Sequence, residues 1–326
     1  MKAIQLTAPN KLELVEKPIP KPKAGEVLIK MAFSPINPSD LAFLSGSYGV
    51  NKGYPVVPGF EGSGVVVENG GGMYGRMLTD KNVACVVSPK YDGTWAEYMV
   101  TEAKSCVKLG KNVPLDQGAM FFVNPLTAIS FIQMAKKESY DLIVMSAAAS
   151  ALGKMTLHLA NEAGIPFIGL VRKEDQLEEL VKNSVLAAID VSKDSYREKL
   201  KSTCSKFRKV LYLDCVAAGE TPYKILSCIP GGSKMLIYGQ LELNQKPVII
   251  PADMIFHHYS IEGFWLQKKI CGFGFLEIFS MTGKVNKLLA GGFENKIASK
   301  LALDEFDKGL SEYVNNMSGG KVLFAM

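Results

Sequence analysis

The chain has 326 residues, of which 48% are apolar and 21% charged, and its formal net charge is +5. A chain of this length exceeds what one hydrophobic core usually supports, so two domains are expected. The small charge and the lack of a dense Lys/Arg block argue against a nucleic-acid-binding protein. No apolar run is long enough to span a bilayer, and residues 1–6 are strand-like rather than a leader, so no membrane association and a cytoplasmic location are predicted.

The cysteines are scattered, and no pair has the short spacing of a metal-binding knuckle or a redox pair. We therefore expect buried thiols in a reducing compartment. They are Cys85, Cys106, Cys204, Cys215, Cys228 and Cys271.

The first third of the chain is rich in Pro, Gly and β-branched residues. Short runs at 26–30, 64–67 and 82–87 have the composition of strands and are separated by turn signals. Helical periodicity is scarce up to about Leu109. The pattern predicts a β-barrel-like module.

Beyond residue 113 strands and helices alternate. A helical stretch with an expected break at Pro125 runs to Lys136, and apolar runs at 142–145, 165–171 and 209–214 then alternate with amphipathic helices. This alternation predicts crossover connections and a parallel, doubly wound sheet. The tail, with strands near 295–301 and 322–326, is expected to return to the first module. The predicted domains are 1–118 with 268–326, and 119–267.

The segment 146–153 lies between a predicted strand and a helix, where a dinucleotide pyrophosphate binds in such sheets. Only the third glycine of the usual fingerprint is present, as Gly153, while Ala148 and Ser150 occupy the first two positions. These substitutes are small, so phosphates could still approach the backbone N–H groups, with Ser150 adding a hydroxyl. The alternative interpretation is a small-residue helix start packed on a strand.

The end of the second predicted strand bears on the cofactor. An NAD enzyme carries Asp or Glu there, which accepts from the ribose 2′-hydroxyl. This chain has Arg172 and Lys173 instead. Two cations favour a 2′-phosphate and hence NADPH, with Arg172 able to donate two N–H bonds. The alternative is a solvated helix start.

Several motifs follow one another in a familiar order. They lie at 36–41, 46–49, 55–64, 93–98, 124–128 and 319–323. Together they resemble the signature of the medium-chain dehydrogenase/reductase superfamily. The resemblance implies an α/β fold, with a doubly wound parallel (Rossmann) sheet and a GroES-like β-barrel domain.

Zinc members of that superfamily have a His where this chain has Phe60, and a Cys ligand in the segment that here includes Asn37. The four-cysteine structural lobe is also missing. Catalytic zinc needs about three protein ligands, and the histidines are His158, His257 and His258. The resemblance therefore places the chain in the zinc-free branch, with no metal site.

Two stretches are similar to the mitochondrial-type 2-enoyl thioester reductases. One runs from residue 254 to 266, and the other joins 37–40 to 46–49. The second implies that Tyr48 is the proton donor or the residue that stabilises an oxyanion. Ala151 departs from the Ser-Gly usual in the phosphate-binding turn.

The same resemblance implies a set of cofactor contacts and a homodimer, which would form through the last strand of the predicted sheet, expected to contain Trp265. The contacts are Asn37, Asn124, Thr127, Ala149, Ser150, Ala151, Leu152, Gly153, Arg172, Lys173, Glu174, Tyr238, Gly239, Gln240, Leu241, Phe264, Trp265, Leu266 and Lys321.

The function predicted from the sequence is NADPH-dependent hydride transfer to an activated C=C of a small molecule, such as a 2-enoyl thioester, with Tyr48 at a cleft between the domains. Two alternatives stay open. The quinone reductases of the same branch also have a tyrosine near this position, so an NADPH:quinone oxidoreductase is the first. The second is a non-catalytic NADPH-binding protein, because Ala148, Ser150 and Ala151 replace small-loop glycines.

Overall fold

The computed structural model describes residues 1–50, 52–88, 90–242 and 245–326. The strands, in chain order, are β1 (Lys2–Ala8), β2 (Lys11–Glu16), β3 (Glu26–Pro35), β4 (Glu61–Asn69), β5 (Asn82–Val86), β6 (Tyr98–Glu102), β7 (Cys106–Lys108), β8 (Leu142–Met145), β9 (Phe167–Val171), β10 (Ala187–Asp190), β11 (Val210–Asp214), β12 (Lys234–Ile237), β13 (Ser260–Gly263), β14 (Ile297–Ala302) and β15 (Lys321–Ala325).

The α-helices, in the same order, are α1 (Pro38–Leu44), α2 (Met73–Leu78), α3 (Leu115–Gly118), α4 (Val123–Lys137), α5 (Ala151–Glu162), α6 (Glu174–Lys182), α7 (Tyr196–Cys204), α8 (Thr221–Leu226), α9 (Pro251–Phe256), α10 (Leu266–Cys271), α11 (Phe275–Ala290) and α12 (Phe306–Asn315). None of the helices in these described ranges combines the length and apolar character needed to cross a membrane.

The chain forms two compact units. The first comprises Met1–Leu126 and Phe275–Met326, and the second comprises Thr127–Gly274. The first limit lies within α4 and the second in the α10–α11 connection. Both lie a few residues further along the chain than the limits expected from the sequence.

The second unit is built on a six-stranded sheet in the order β10-β9-β8-β11-β12-β13. All its strand pairs are parallel. Counted within the unit, this is the order 3-2-1-4-5-6 of the Rossmann fold, with the switch point between β8 and β11. Separate apolar clusters cover the two faces, one including Phe131 and Phe167 and the other Tyr212 and Ile168. Burial on both faces explains the continuous apolar strands.

The first unit contains a seven-stranded sheet. Its path is β14-β15-β3-β4-β5-β7, and β6 pairs with β3. Trp95 and Phe324 are fully buried beside it, with ring centroids 5.0 Å apart in an edge-to-face arrangement. The predicted fold class, a doubly wound parallel sheet plus a β-rich domain, is confirmed by this topology.

Three predictions are wrong in detail. The helix does not break at Pro125, which lies in the first turn of α4, where a missing N–H leaves no helical bond unmade. Trp265 does not lie in the last strand, since β13 ends at Gly263 and Trp265 is the N-cap of α10. Cys271 is exposed rather than buried.

Candidate active site

The loop between β8 and α5 places backbone N–H groups at the carboxyl edge of the second unit's sheet. Ser150 is the N-cap of α5, and its Oγ accepts the Gly153 N–H at 3.1 Å. A Cβ built on Gly153 would lie 2.6 Å from the carbonyl carbon of Ala148. Only glycine therefore permits this approach of helix to strand, which is the packing role of the third fingerprint glycine.

The small residues of this loop keep the approach to the N-terminus of α5 open. Ala148 and Ala149 are buried, whereas Ser150, Ala151 and Leu152 are half-buried. Together with the first-turn N–H groups and the dipole of α5, they could hold a pyrophosphate.

Ser146 joins the two loops that flank the switch point. Its Oγ accepts the Cys215 N–H at 3.0 Å, so the loop after β8 is fixed to the loop after β11. Asp214 accepts from the Tyr212 hydroxyl and from the Ala217 N–H, both at 2.8 Å. Such buried hydrogen bonds hold the two loops at the switch point in one geometry.

Arg172 and Lys173 are exposed immediately after β9. Lys173 is the N-cap of α6, and Glu174 is in its first turn. Burial raises the pKa of the Cys215 thiol to about 11, and the positive charge of Arg172 is among the influences that oppose the rise. Arg172 thus lies at the carboxyl edge of the sheet, where it could meet an anionic group.

Further along the same edge, the loop after β12 is fixed to the loop after β11. Tyr238 N–H donates to Asp214 O at 2.9 Å, and Leu241 N–H donates to Cys215 O at 2.8 Å. A Cβ on Gly239 would stand 3.2 Å from the Cβ of Cys215, whereas Gln240 is exposed.

The last strand of the sheet leads to the final group of predicted cofactor contacts. Phe264 follows β13 and packs edge-to-face on Phe131 with centroids 5.0 Å apart. Trp265 is 37% exposed, and Leu266 begins α10. The structure thus brings the predicted contacts 149–153, 172–174, 238–241 and 264–266 to one edge of one sheet.

Tyr48 lies in the first unit, in the loop after α1. Gly46 ends the helix with φ +77°, a conformation that favours glycine. The N–H groups of Ser47 and Tyr48 both donate to Ala42 O, at 2.9 and 3.0 Å. The half-buried Tyr48 ring stacks on Phe60 with centroids 4.8 Å apart. The loop therefore presents a phenol on an apolar support.

A buried polar cluster lies at the other end of α1. Lys321 Nζ donates to Asn37 Oδ1, and Asn37 Nδ2 donates to Glu61 Oε1 at 3.1 Å. The second oxygen of Glu61 accepts the N–H groups that precede and begin α4, at 2.8 and 3.0 Å. Asp40 accepts the Asn37 N–H at 2.8 Å. These four side chains are at most 4% exposed.

Burial dominates the electrostatics of this cluster. It raises the pKa of Asp40 to about 7, and it also raises the pKa of Glu61, where the nearby Lys321 opposes the rise. It lowers the pKa of Lys321. Asp40 and Glu61 were not singled out as site residues from the sequence. The available signal was a pair of carboxylates inside otherwise apolar, Gly- and Pro-rich motifs.

Asn124 and Thr127 lie in the first two turns of α4 and are 8% and 6% exposed. In the described part of the chain, no group of three or more His, Cys, Asp or Glu side chains has a geometry that could hold a metal ion.

Comparison with known proteins gives the family. The alcohol dehydrogenase GroES-like domain matches residues 23–111. Mitochondrial enoyl-[acyl-carrier-protein] reductase of Arabidopsis thaliana is 32% identical over 262 residues, which cover 78% of this chain and 68% of that protein. Its counterpart in Caenorhabditis elegans is 32% identical over 256 residues, covering 76% and 71%.

Solved structures with similar folds belong to proteins of related names. A candidate NADPH:quinone reductase from Mesorhizobium loti superposes with a TM-score of 0.88 at 30% identity, covering 100% of this chain and 98% of that one. The quinone oxidoreductase of Thermus thermophilus, also solved in complex with NADPH, has a TM-score of 0.83 at 21% identity over 100% of both chains, and this match shows the fold alone. The chain therefore belongs to the medium-chain dehydrogenase/reductase superfamily of oxidoreductases, in the branch that includes the mitochondrial enoyl reductases.

Proposed function

We propose that the protein is an NADPH-dependent reductase that transfers hydride to the activated C=C of a 2-enoyl thioester or a related α,β-unsaturated carbonyl compound. The observation that carries the proposal is the 32% identity with two mitochondrial enoyl reductases over three quarters of the chain. The structure supports it with a loop-borne phenol, Tyr48, and with a Rossmann sheet whose carboxyl edge offers backbone N–H groups and exposed cations.

The residues of that edge fit a dinucleotide. We infer that Ala149 to Gly153 bind the pyrophosphate through backbone N–H groups, and that Arg172 and Lys173 bind a 2′-phosphate. Glu174, the 238–241 loop and the 264–266 segment complete the proposed contacts, with Asn124 and Thr127 added by resemblance. When bound, NADPH supplies the hydride, and the protein's part is to position it and to handle charge.

Tyr48 has the chemical role in this proposal. Hydride addition to the β-carbon of an enoyl compound leaves negative charge on the carbonyl oxygen. A neutral phenol can donate a hydrogen bond to that oxygen, or a proton to the α-carbon of the resulting enolate, which completes the reduction. Loss of one such donor typically lowers turnover by about 10²- to 10³-fold.

The test is a steady-state assay with crotonyl thioester, with both NADPH and NADH, on the wild type and on Tyr48→Phe. We expect turnover with NADPH that falls about 10²-fold in the variant. Tyr74→Phe is the matched control, because its phenol, on α2, donates to Cys106 O instead. Unchanged turnover of Tyr48→Phe would remove the assignment of Tyr48.

A second candidate function is NADPH:quinone oxidoreduction. It is favoured by the Mesorhizobium loti structure, which matches at 30% identity over the whole chain. Benzoquinone in the same assay separates the two acceptors. The third candidate, NADPH binding without catalysis, predicts cofactor binding and no turnover of any acceptor.

We also propose a homodimer. β13 is the last strand on its side of the six-stranded sheet and pairs only with β12 among the described strands. Such an edge can pair with a second copy. Sedimentation of the purified protein tests this, and a monomer at micromolar concentration would contradict it. Cytoplasmic location stays a prediction from the sequence, to be tested by imaging a tagged chain.

A further inference from the structure

Glu61 joins two separate parts of the first unit. Its Oε1 accepts from Asn37, the residue immediately before α1, at 3.1 Å. Its Oε2 accepts the N–H groups of Phe122 and Val123, at the start of α4, at 2.8 and 3.0 Å. The side chain is 1% exposed. A single buried carboxylate thus holds the beginnings of two helices together.

The donor and the acceptor of every hydrogen bond from Lys321 through Asn37 to Glu61 are fixed by the chemistry of the groups. Lys321 has only donors, so the Asn37 amide must turn its oxygen to Lys321 and its NH₂ to Glu61. At the far side, the backbone N–H groups are also donors only. The group between them must accept on both sides, and a carboxylate does so. An amide there would turn its NH₂ toward a donor at one end.

Both supports of Tyr48 are next to this carboxylate. Asn37 leads into α1, whose last turn accepts the Tyr48 N–H through Ala42 O at 3.0 Å. Phe60, on which the Tyr48 ring stacks at 4.8 Å, precedes Glu61 in the chain. Any shift of Glu61 therefore moves both the helix and the aromatic support of the phenol.

We propose that Glu61 is a positioning residue, which acts through Asn37 and α1 and through Phe60 to hold the Tyr48 phenol in place relative to the start of α4. The inference rests on the catalytic role proposed for Tyr48. It assigns Asn37 and Lys321, which the sequence suggested as cofactor contacts, to the support of Glu61 instead. Burial raises the pKa of Glu61 and Lys321 opposes the rise, which agrees with Lys321 serving the carboxylate.

A double-mutant cycle on Glu61 and Tyr48 tests the proposal. Glu61→Gln keeps the size of the side chain, but the amide NH₂ must face a donor, either the Asn37 NH₂ or the N–H groups at the start of α4, so one of the two sets of hydrogen bonds is lost. We expect kcat to fall about 10- to 100-fold with little change in the KM for NADPH, because a small misplacement of a catalytic group costs this much. In the Tyr48→Phe background, the same change should lower kcat by less than about threefold.

The matched control is Gln117→Met. Gln117 is also buried in the first unit and makes two hydrogen bonds, to the N–H and the carbonyl of Asn295, at 2.9 and 3.1 Å. Its loss should lower stability without coupling to Tyr48. If Glu61→Gln lowers kcat by the same factor with and without the Tyr48 hydroxyl, the positioning role would be overturned.

Hydrogen exchange gives a readout that needs no substrate. The N–H groups of Gly46, Ser47 and Tyr48 are bonded to carbonyls of α1, and their exchange should be at least about tenfold faster in Glu61→Gln and unchanged in Gln117→Met. If the wild type reduces no acceptor, the proposed function fails, and if Tyr48→Phe is fully active, the catalytic assignment of Tyr48 fails. In either case, exchange alone decides whether Glu61 holds the Tyr48 loop. Unchanged exchange at 46–48 in Glu61→Gln would then overturn the inference.

Discussion

Gly153 packs so closely on Ala148 that a Cβ at position 153 would lie 2.6 Å from the Ala148 carbonyl carbon and 2.7 Å from its Cα. The obstacle is backbone, so no side-chain rotation can relieve it. We expect Gly153→Ala to displace the start of α5, to lower the free energy of unfolding by about 1–3 kcal/mol, and to weaken NADPH binding at least about tenfold, since the displaced N–H groups belong to the proposed phosphate site.

Calorimetric titration with NADPH and urea unfolding measure the two effects. Gly283→Ala is the matched control, because a Cβ there meets nothing within 4 Å. Wild-type affinity in Gly153→Ala would show that the pyrophosphate lies elsewhere.

Arg172 should determine the choice between NADPH and NADH. Replacing it by Asp removes two charge-assisted donors and introduces a carboxylate that repels the 2′-phosphate and accepts from a 2′-hydroxyl. We expect the ratio of kcat/KM for NADPH to that for NADH to fall about 10²-fold or more. The reason is that each lost hydrogen bond to a charged group contributes about 1.5–3 kcal/mol. Initial-rate kinetics with both cofactors give the ratio.

Arg208→Asp makes the same charge change at an exposed position two residues before β11, and hence at the opposite, amino edge of the sheet. It should leave the cofactor ratio unaltered. A ratio in Arg172→Asp that equals the wild-type ratio would return Arg172 to the alternative interpretation, a solvated helix start.

The Rossmann part of the fold was predictable because its signals are local. Apolar runs of four or five residues, buried on both faces, lie between amphipathic helices. Gly164 ends the turn after α5 with a positive φ of +68°, a conformation that favours glycine. The break expected at Pro125 was wrong because a proline signal does not say on which turn of the helix the residue lies. The prediction that Trp265 lies in the last strand was wrong because the pairing of β13 with β12 ends at Gly263.

The buried cluster of the first unit could not be derived in the same way. Lys321 and Asn37 are 284 positions apart, and Glu61 and Val123 are 62 apart. No periodicity links residues over such separations, and only the topology of the sheet brings β15, β4 and α1 together. For the same reason, the sequence suggested Lys321 and Asn37 individually but not the two carboxylates that they face.

The stability of the protein should depend on pH through Asp40. Burial raises the pKa of this carboxyl from 3.8 to about 7, with the Asn37 N–H opposing the rise, the negative Glu61 adding to it and Lys321 opposing it. Between about pH 4 and 7 the unfolded chain is ionised at this position while the folded chain keeps the proton. Since the folded state then binds more protons, Asp40 makes the protein less stable as pH rises through this window.

Asp40→Asn removes that titration. The difference in free energy of unfolding between variant and wild type should therefore shift in favour of the variant between about pH 4 and 8, by up to about 4 kcal/mol for a pKa raised from 3.8 to about 7. Urea unfolding across the range measures it. Asp307→Asn, at an exposed position of α12, should give a constant difference, and a constant difference for Asp40→Asn as well would contradict the prediction.

Cys271 should be the reactive thiol of the folded protein. All the cysteines lie in the described ranges, and Cys271 is exposed at the end of α10 while the others are buried. Burial raises the pKa of Cys106 and Cys204 to about 12, so these thiols are protonated as well as shielded. Because the thiolate is the nucleophile, we expect an aromatic disulfide reagent to modify one thiol per chain at about pH 8, and none in Cys271→Ser. Full modification should require denaturant. Rapid reaction of any thiol in the folded Cys271→Ser variant would contradict the prediction and show that one of the buried positions opens.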